Sequence, residues 1–227
     1  RRDDDAFASY KNRNKAALKN QELNPNVAFS DSIQAGIYMK HPRIIRIKAD
    51  MADQMDYDKI LPMYQDRFKD ASDFTFIFVG NVDVEKMKPV IAEYLGALPA
   101  VNRKETFKDN KIEMRQGIYK NEFTKQQETP KASVFAFYNG DCKYDLRNNL
   151  LLSMTSQILD LVYTEKVRED EGGTYGVYVG GTLQKYPKEK AILQIIFDTA
   201  PEKKEKLMKI IFGEIDNITK TGPSEAN

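Results

Sequence analysis

A long apolar stripe that stops at a pair of glycines constrains this 227-residue chain more than any other feature. From about Asp145 to Val167, apolar residues recur at the three- and four-residue spacing of a helix. Gly172 and Gly173 follow, and glycine accepts the left-handed conformation that ends helices. From Tyr175 onward the residues alternate with the period of a strand. The pattern predicts a long helix that ends at the glycines and is followed directly by a strand.

This helix-to-strand turn carries two candidate functional side chains. Arg168 falls in the last helical turn and Tyr175 at the start of the strand, so the turn can bring both out on the same side. A guanidinium and a phenol are hydrogen-bond donors suited to a peptide carbonyl or to the oxyanion it becomes. A purely structural alternative stays open. In that alternative, Arg168 interacts favourably with the dipole at the helix C-terminus or pairs with Glu165 or Glu171. Tyr175 is then an aromatic residue at the edge of an ordinary strand, without a functional role.

The remaining periodicity predicts an α+β fold in which an antiparallel sheet packs with helices. Helices are predicted at residues 6–20, 31–40, 57–69 and 84–95 and from Pro201 onward, with a turn at 24–26. Strands are predicted at 74–79 (buried), 111–122 (an edge pair), 132–138 and 191–198. The last of these returns from a hairpin whose tip lies near residues 185–187, and Gly180-Gly181 is predicted to form a bulge or bend.

Composition limits the classes of function. The chain has 35 basic and 34 acidic residues, so no global positive field favours nucleic acid. No apolar run approaches the ~20 residues that a membrane span needs. A single cysteine, Cys142, excludes an internal disulfide. Because the chain starts without methionine, in a segment with a helical pattern, we interpret it as a piece of a longer protein.

Three stretches, which follow one another along the chain in the order that the family has, resemble the C-terminal half of the pitrilysin/insulysin family of zinc metallopeptidases. These enzymes carry an inverted zinc motif. The three stretches are the Arg168–Tyr175 stretch (REDEGGTY), the stretch from Asp73 to Pro99, and the stretch from Tyr186 to Pro223. The last is similar to family members of the long bacterial type. The resemblance implies the LuxS/mitochondrial-processing-peptidase-like metallohydrolase fold. It also implies that residues 1–100 end one pitrilysin-type domain, and that residues 101–227 begin the next, the two folding either as one body or separately.

The metal site of this family requires residues that the chain lacks. The family signature is His-x-x-Glu-His with a further downstream glutamate. The only histidine here, His41, precedes a proline in a predicted loop and cannot supply that set. We therefore expect zinc in the parent protein and no metal or cofactor bound by this chain alone. Whether the chain alone counts as an enzyme stays open, whereas the parent is expected to be a zinc metalloendopeptidase.

The resemblance implies an assisting role for this half of the protein. It would close a proteolytic chamber over the zinc-bearing N-terminal half, with Tyr175 donating to the oxyanion and Arg168 to substrate carbonyl groups. Unstructured peptides are the expected substrates, and the family resemblance points to the periplasm. The alternative is a catalytically inactive binding or assembly module. Such a module would partner a separate peptidase subunit, or bind peptides by strand addition to its sheet edge.

Overall fold

The computed structural model describes residues 2–169 and 176–223, and only the backbone of Arg168 and Glu169. Within these ranges the helices are α1 (Asp4–Glu22), α2 (Pro25–Ile37), α3 (Tyr57–Phe68), α4 (Val84–Tyr94), α5 (Leu146–Tyr163) and α6 (Lys204–Thr221). The strands are β1 (Ala132–Asp141), β2 (Val177–Gln184) and β3 (Lys190–Thr199). Two 3₁₀ turns, Ala49–Gln54 and Pro201–Lys203, and one π-helical turn, Thr164–Glu169, complete the regular structure of these ranges.

The chain divides into two compact units. Unit 1 comprises Arg1–Val27 and Arg46–Asn110, and unit 2 comprises Ala28–Ile45 and Lys111–Asn227. The second unit therefore takes in a segment from the first half of the sequence, including most of α2. The predicted boundary between two pitrilysin-type domains at residues 100 and 101 stays a prediction.

Unit 2 is built on an antiparallel sheet with the strand order β1-β3-β2. Val177, Phe197 and Val134 lie in one cross-strand row, and Val179, Ile195 and Ala136 form another. Because strand side chains alternate between faces, these rows present one apolar face of the sheet. Helices α5 and α6 cover that face. The resulting core consists of Leu159, Val162, Tyr163, Val167, Val177, Val179, Ile195, Phe197, Leu207 and Ile211.

Unit 1 consists of helices and irregular segments. Helix α1 packs along the 3₁₀ turn Ala49–Gln54, where Lys15 Nζ lies 2.6 Å from Asp53 Oδ2. The ring of Phe7 stacks on that of Tyr57 at 4.5 Å between centroids. Among its described residues, only Ala52 and Asp70 are buried. Unit 1 therefore has almost no apolar core of its own in this structure.

Most predicted elements are confirmed, and so is the α+β class. Helix α4 begins after Asp83, whose carboxylate accepts from the backbone N–H groups of Glu85 and Lys86, as an N-cap should. The hairpin between β2 and β3 has its tip at residues 185–189, and α6 follows Pro201 and ends at Gly222, which has a φ of 74°. These elements are specified by caps and turn residues that act within a few positions, so they can be predicted locally.

The prediction of a buried strand at residues 74–79 is wrong. In the structure this segment has no β-bridge to any described residue, and its apolar side chains are exposed. Ile77 and Val79 remain 80% and 92% exposed. A strand requires a neighbouring strand for its backbone hydrogen bonds, and none of the described residues supplies one here.

The predicted edge-strand pair at 111–122 is also wrong. Its backbone makes a different contact, because the N–H of Arg115 donates to the carbonyl of Ile37 at the end of α2, at 2.7 Å. The bulge predicted at Gly180-Gly181 is absent, since both residues stay in register with Gln194 and Leu193 of β3. A Cβ on Gly181 would stand 2.8 Å from Leu152 Cγ, so this glycine lets α5 pack on the sheet.

The second helix starts earlier than predicted. The turn expected at residues 24–26 is the helix start itself, because Pro25 is the first residue of α2 and Asn24 Oδ1 accepts from Asn26 N. Proline is favoured at this first position because its ring already has a helical φ and its missing N–H has no helical partner there. The helix ends at Ile37 rather than at Lys40, because Met39 and Lys40 take φ values of 54° and 56°.

Candidate functional site

The end of α5 positions the first predicted site residue. After Tyr163 the helix widens into the six-residue π-helical turn Thr164–Glu169, which contains Arg168. Such turns are rare and frequently occur at functional sites. The side chain of Arg168 lies outside what the structure describes, and so does Tyr175 as a whole. Their predicted placement side by side stays a prediction, and so does the helix stop at Gly172 and Gly173, which also lie outside the described residues.

Three contacts fix this helix end in unit 2. The side chain of Val167, directly before Arg168, is 0% exposed within the core. The Nζ of Lys166 lies 2.7 Å from the Oε1 of Glu214 on α6. The hydroxyl of Tyr163 donates to the carbonyl of Ile211, also on α6, at 3.0 Å. The backbone that carries Arg168 is therefore held against α6 by packing, a charge pair and a buried hydrogen bond.

The strand that follows is fixed in the same core. Val177, two residues after Tyr175, is buried and pairs with Phe197 of β3. Val167 and Val177 belong to one cluster of buried residues. Residues 170–175 are thus bracketed by two anchored positions of one rigid core. The path of the chain between these two positions lies outside the described residues, so the direct turn from helix to strand stays a prediction there.

Burial raises the pKa of two tyrosine side chains of unit 2. It raises the pKa of Tyr163 well above the ordinary value, with the charges of Glu214 and the neighbouring Tyr138 acting in the same direction. Burial also raises the pKa of Tyr138. Both phenols therefore stay protonated at neutral pH. Because the hydroxyl of Tyr163 donates to the carbonyl of Ile211 on α6, this side chain links α5 to α6.

A cavity of unit 2 was missed by the sequence analysis. It has a volume of about 340 Å³, and Lys40, Arg115 and Tyr119 are among the residues that line it. The guanidinium of Arg115 lies 4.1 Å from the centroid of the Tyr119 ring, and its Nε donates to the carbonyl of Gly36 at 2.8 Å. Arg115 thereby satisfies carbonyl groups at the end of α2. No local signal reveals this contact, because its two sides are about 80 positions apart in sequence.

The single histidine takes part in a local turn. The Nδ1 of His41 accepts from the N–H of Arg43 at 3.2 Å. Across residues 2–169 and 176–223, no three His, Cys, Asp or Glu side chains come together as a metal site would require. The inverted zinc motif of the family that the sequence resembles contains two histidines, whereas this chain has one. That the chain alone binds no metal stays a prediction. In the described part of the chain, no helix is long and apolar enough to cross a membrane.

An antiparallel sheet with two helices on one face fits the α+β fold that the family resemblance implies. The profile of the peptidase M16 inactive domain matches residues 54–227. The chain belongs to this family, whose C-terminal inactive domains are parts of peptidase-like proteins of the M16 (pitrilysin-like) type. No individually curated protein sequence matches the chain at a significant level.

Solved structures share the fold. The periplasmic protease PqqL from Escherichia coli matches with a TM-score of 0.81 and 22% identity over 99% of this chain and 24% of its own. The ferredoxin protease FusC, solved as a mutant in complex with Arabidopsis ferredoxin, matches with a TM-score of 0.68 and 14% identity. The match covers 93% of this chain and 23% of the FusC chain. A peptidase M16 inactive domain from Pseudomonas fluorescens matches with a TM-score of 0.68 and 19% identity, over 98% of this chain and 53% of that chain. The chain therefore spans about a quarter of the first two proteins and about half of the third.

Proposed function

We propose that this chain is the zinc-free part of a zinc metallopeptidase, which closes the proteolytic chamber and assists peptide hydrolysis without being catalytic alone. The zinc would be held by an N-terminal half of the same protein. One observation carries the proposal: the π-helical turn with Arg168 and the strand that follows Tyr175 are both anchored in one core. A rigid support of this kind is what transition-state hydrogen bonds require.

Each of the two residues has a distinct role in this proposal. The phenol of Tyr175 donates to the oxyanion that forms on the scissile carbonyl, where negative charge develops in the transition state. The guanidinium of Arg168 binds substrate carbonyl groups and positions the peptide. Extended, unstructured peptides are the proposed substrates. The relative PqqL is described as periplasmic, which supports the same compartment for this protein.

The test is cleavage of a quenched, unstructured peptide by the full-length protein and its variants. We expect Tyr175→Phe to lower kcat roughly a hundredfold at unchanged zinc content, since one oxyanion donor is typically worth that much. Arg168→Ala is expected to lower kcat and also to raise KM, because it removes ground-state binding of the peptide in addition to its positioning. The matched control is Tyr178→Phe, an exposed phenol on β2 three positions further along the chain, which should leave turnover unchanged.

A second function is favoured by one feature, the match to an inactive domain in a chain with a single histidine. In it, the protein is a non-catalytic binding or assembly module that partners a separate peptidase subunit. A full-length protein that neither binds zinc nor cleaves peptides would establish this alternative. If the full-length protein cleaves and both variants match it, this part forms only a wall of the chamber.

A further inference from the structure

The π-helical turn that contains Arg168 has an unusual pattern of buried residues. Val162 and Val167 are both buried in the core of unit 2, and they lie five positions apart. Five positions is the hydrogen-bond spacing of a π-helix. A continued α-helix would instead place Lys166, four positions after Val162, on the same face as that valine. The wider turn therefore brings a valine rather than a lysine against the core at this level.

Lys166 lies beside the core, where a carboxylate of α6 binds it. Its Nζ lies 2.7 Å from the Oε1 of Glu214. The side chain of Glu214 is 15% exposed and that of Lys166 is 42% exposed, so water reaches the pair only in part. A charge in such a place is costly when its partner is removed, because the lost hydration is then not compensated. The position of Lys166 therefore depends on Glu214.

The ion pair is the second of two contacts between the same two parts of the chain. Tyr163 and Lys166 are three positions apart, and so are their partners on α6, Ile211 and Glu214. Residues three apart are neighbours on one helix face, so the contacts are stacked one turn apart. The first contact comes from α5 itself, whereas the second comes from the π-helical turn. The ion pair thus acts on the turn, two residues before Arg168.

We propose that Glu214 is a positioning residue, which acts through Lys166 to hold the π-helical turn in the geometry that presents Arg168 to the peptide. The inference rests on the proposed function, in which Arg168 binds substrate carbonyl groups. Such hydrogen bonds depend on placement, and a displacement of about 1 Å can cost a hundredfold in rate. A partly exposed ion pair contributes little to stability. Its loss should therefore change the turn more than the fold of unit 2.

A double-mutant cycle on the full-length protein tests this role. Its four forms are the parent, Glu214→Gln, Arg168→Ala and the double variant, and kcat and KM are measured with a quenched, unstructured peptide. We expect Glu214→Gln to lower kcat/KM about tenfold when Arg168 is present and less than about twofold when it is absent. A merely structural role of Glu214 would lower kcat/KM equally in both backgrounds, and that result would overturn the proposal.

An exchange of charges tests the ion pair itself. Lys166→Glu should lower kcat/KM as Glu214→Gln does, because it places two carboxylates side by side. Adding Glu214→Lys should bring kcat/KM back to within about twofold of the parent, since the pair forms again with its charges exchanged. No recovery in the exchanged form would overturn the proposal. The matched control is Glu205→Gln, which removes a 72% exposed carboxylate near the start of α6 and should leave kcat/KM unchanged.

The cycle also separates this inference from the proposed function. If Arg168→Ala lowers kcat/KM and Glu214→Gln does not, the proposed role of Arg168 stands and the positioning role of Glu214 is overturned. If Arg168→Ala leaves both kcat and KM unchanged, the proposed role of Arg168 fails, and the positioning role fails with it. The two failures therefore differ in the behaviour of a single variant, Arg168→Ala.

Discussion

Units 1 and 2 contain similar amphipathic helices but bury them very differently. In unit 2, α5 and α6 lie on an antiparallel sheet and share a core with β2 and β3. In unit 1, α3 and α4 carry apolar residues at the same helical spacing, yet the buried side chains of its described part are Ala52 and Asp70. An apolar stripe stabilises a fold only when a second layer covers it. The units differ in whether that layer is present.

The contacts that hold each unit follow from this difference. Unit 2 is held by close packing, with Val167, Ile195, Leu207 and Ile211 almost fully buried. Unit 1 is held by polar contacts. The clearest are the hydrogen bonds that the buried carboxylate of Asp70 accepts, which we call the clamp. Packing contributes in proportion to the apolar area removed from water, whereas exposed ion pairs contribute little. We therefore expect unit 2 to be the more stable part of the isolated chain.

The largest expected effect comes from the same substitution made in each unit. Ile195→Ala removes a side chain that is 1% exposed and should cost about 2–5 kcal/mol of unfolding free energy. Ile77→Ala, at a position 80% exposed, should change it by less than about 0.5 kcal/mol in the isolated chain. Urea unfolding followed by circular dichroism measures both. Equal losses would show that residue 77 is covered in solution and that the two units are alike.

A glycine pair gives the next largest effect and probes the packing of unit 2 alone. Gly181→Ala should cost about 1–3 kcal/mol, because its Cβ would meet Leu152 Cγ at 2.8 Å. Gly213→Ala is the control, since its Cβ would meet no atom within 4 Å on the exposed side of α6. It should stabilise the chain by about 0.5–1 kcal/mol, because alanine loses less backbone entropy in a helix. Thermal unfolding should move in opposite directions, and a harmless Gly181→Ala would contradict close contact between α5 and β2.

The smallest expected effect concerns the clamp of unit 1 and depends on pH. The hydroxyl of Ser72, together with the backbone N–H groups of Arg103 and Val101, holds the pKa of Asp70 well below its ordinary value. A carboxyl group with a lowered folded-state pKa stabilises the fold above its unfolded pKa of about 3.9, and this stability is lost as pH falls toward the folded value. Asp70→Asn should therefore lower the melting temperature at pH 7 and have less effect at pH 3.

The control for this prediction is Asp73→Asn, which removes an exposed carboxylate three residues away. It should leave the melting temperature nearly unchanged at both pH values. Because the comparison uses differences from the parent chain, other titrating carboxylates of unit 1 cancel. A difference between Asp70→Asn and the parent that stays constant from pH 7 to pH 3 would show that the clamp does not depend on the charge of Asp70.

Much of the fold and part of the candidate site could be predicted without the structure. The helix leading to Arg168 and the strand after Tyr175 lie where the periodicity predicts them, and the family resemblance is confirmed by the M16 inactive-domain profile. The pairing of Arg168 with Tyr175 remains a prediction. The contacts that hold this region, between Lys166 and Glu214 and between Tyr163 and Ile211, could not be predicted. They join positions 48 apart on different helices.

The sequence by itself determined where helices and hairpins begin and end, because caps such as Asp83 and turn residues act on the nearest backbone groups. It did not determine which apolar segments are buried. Residues 74–79 and β3 are both rich in β-branched and aromatic residues, yet of these two segments only β3 lies between two partner strands in the described part of the chain. Tertiary structure decided that difference, because a strand gains its hydrogen bonds and its burial from segments distant in sequence.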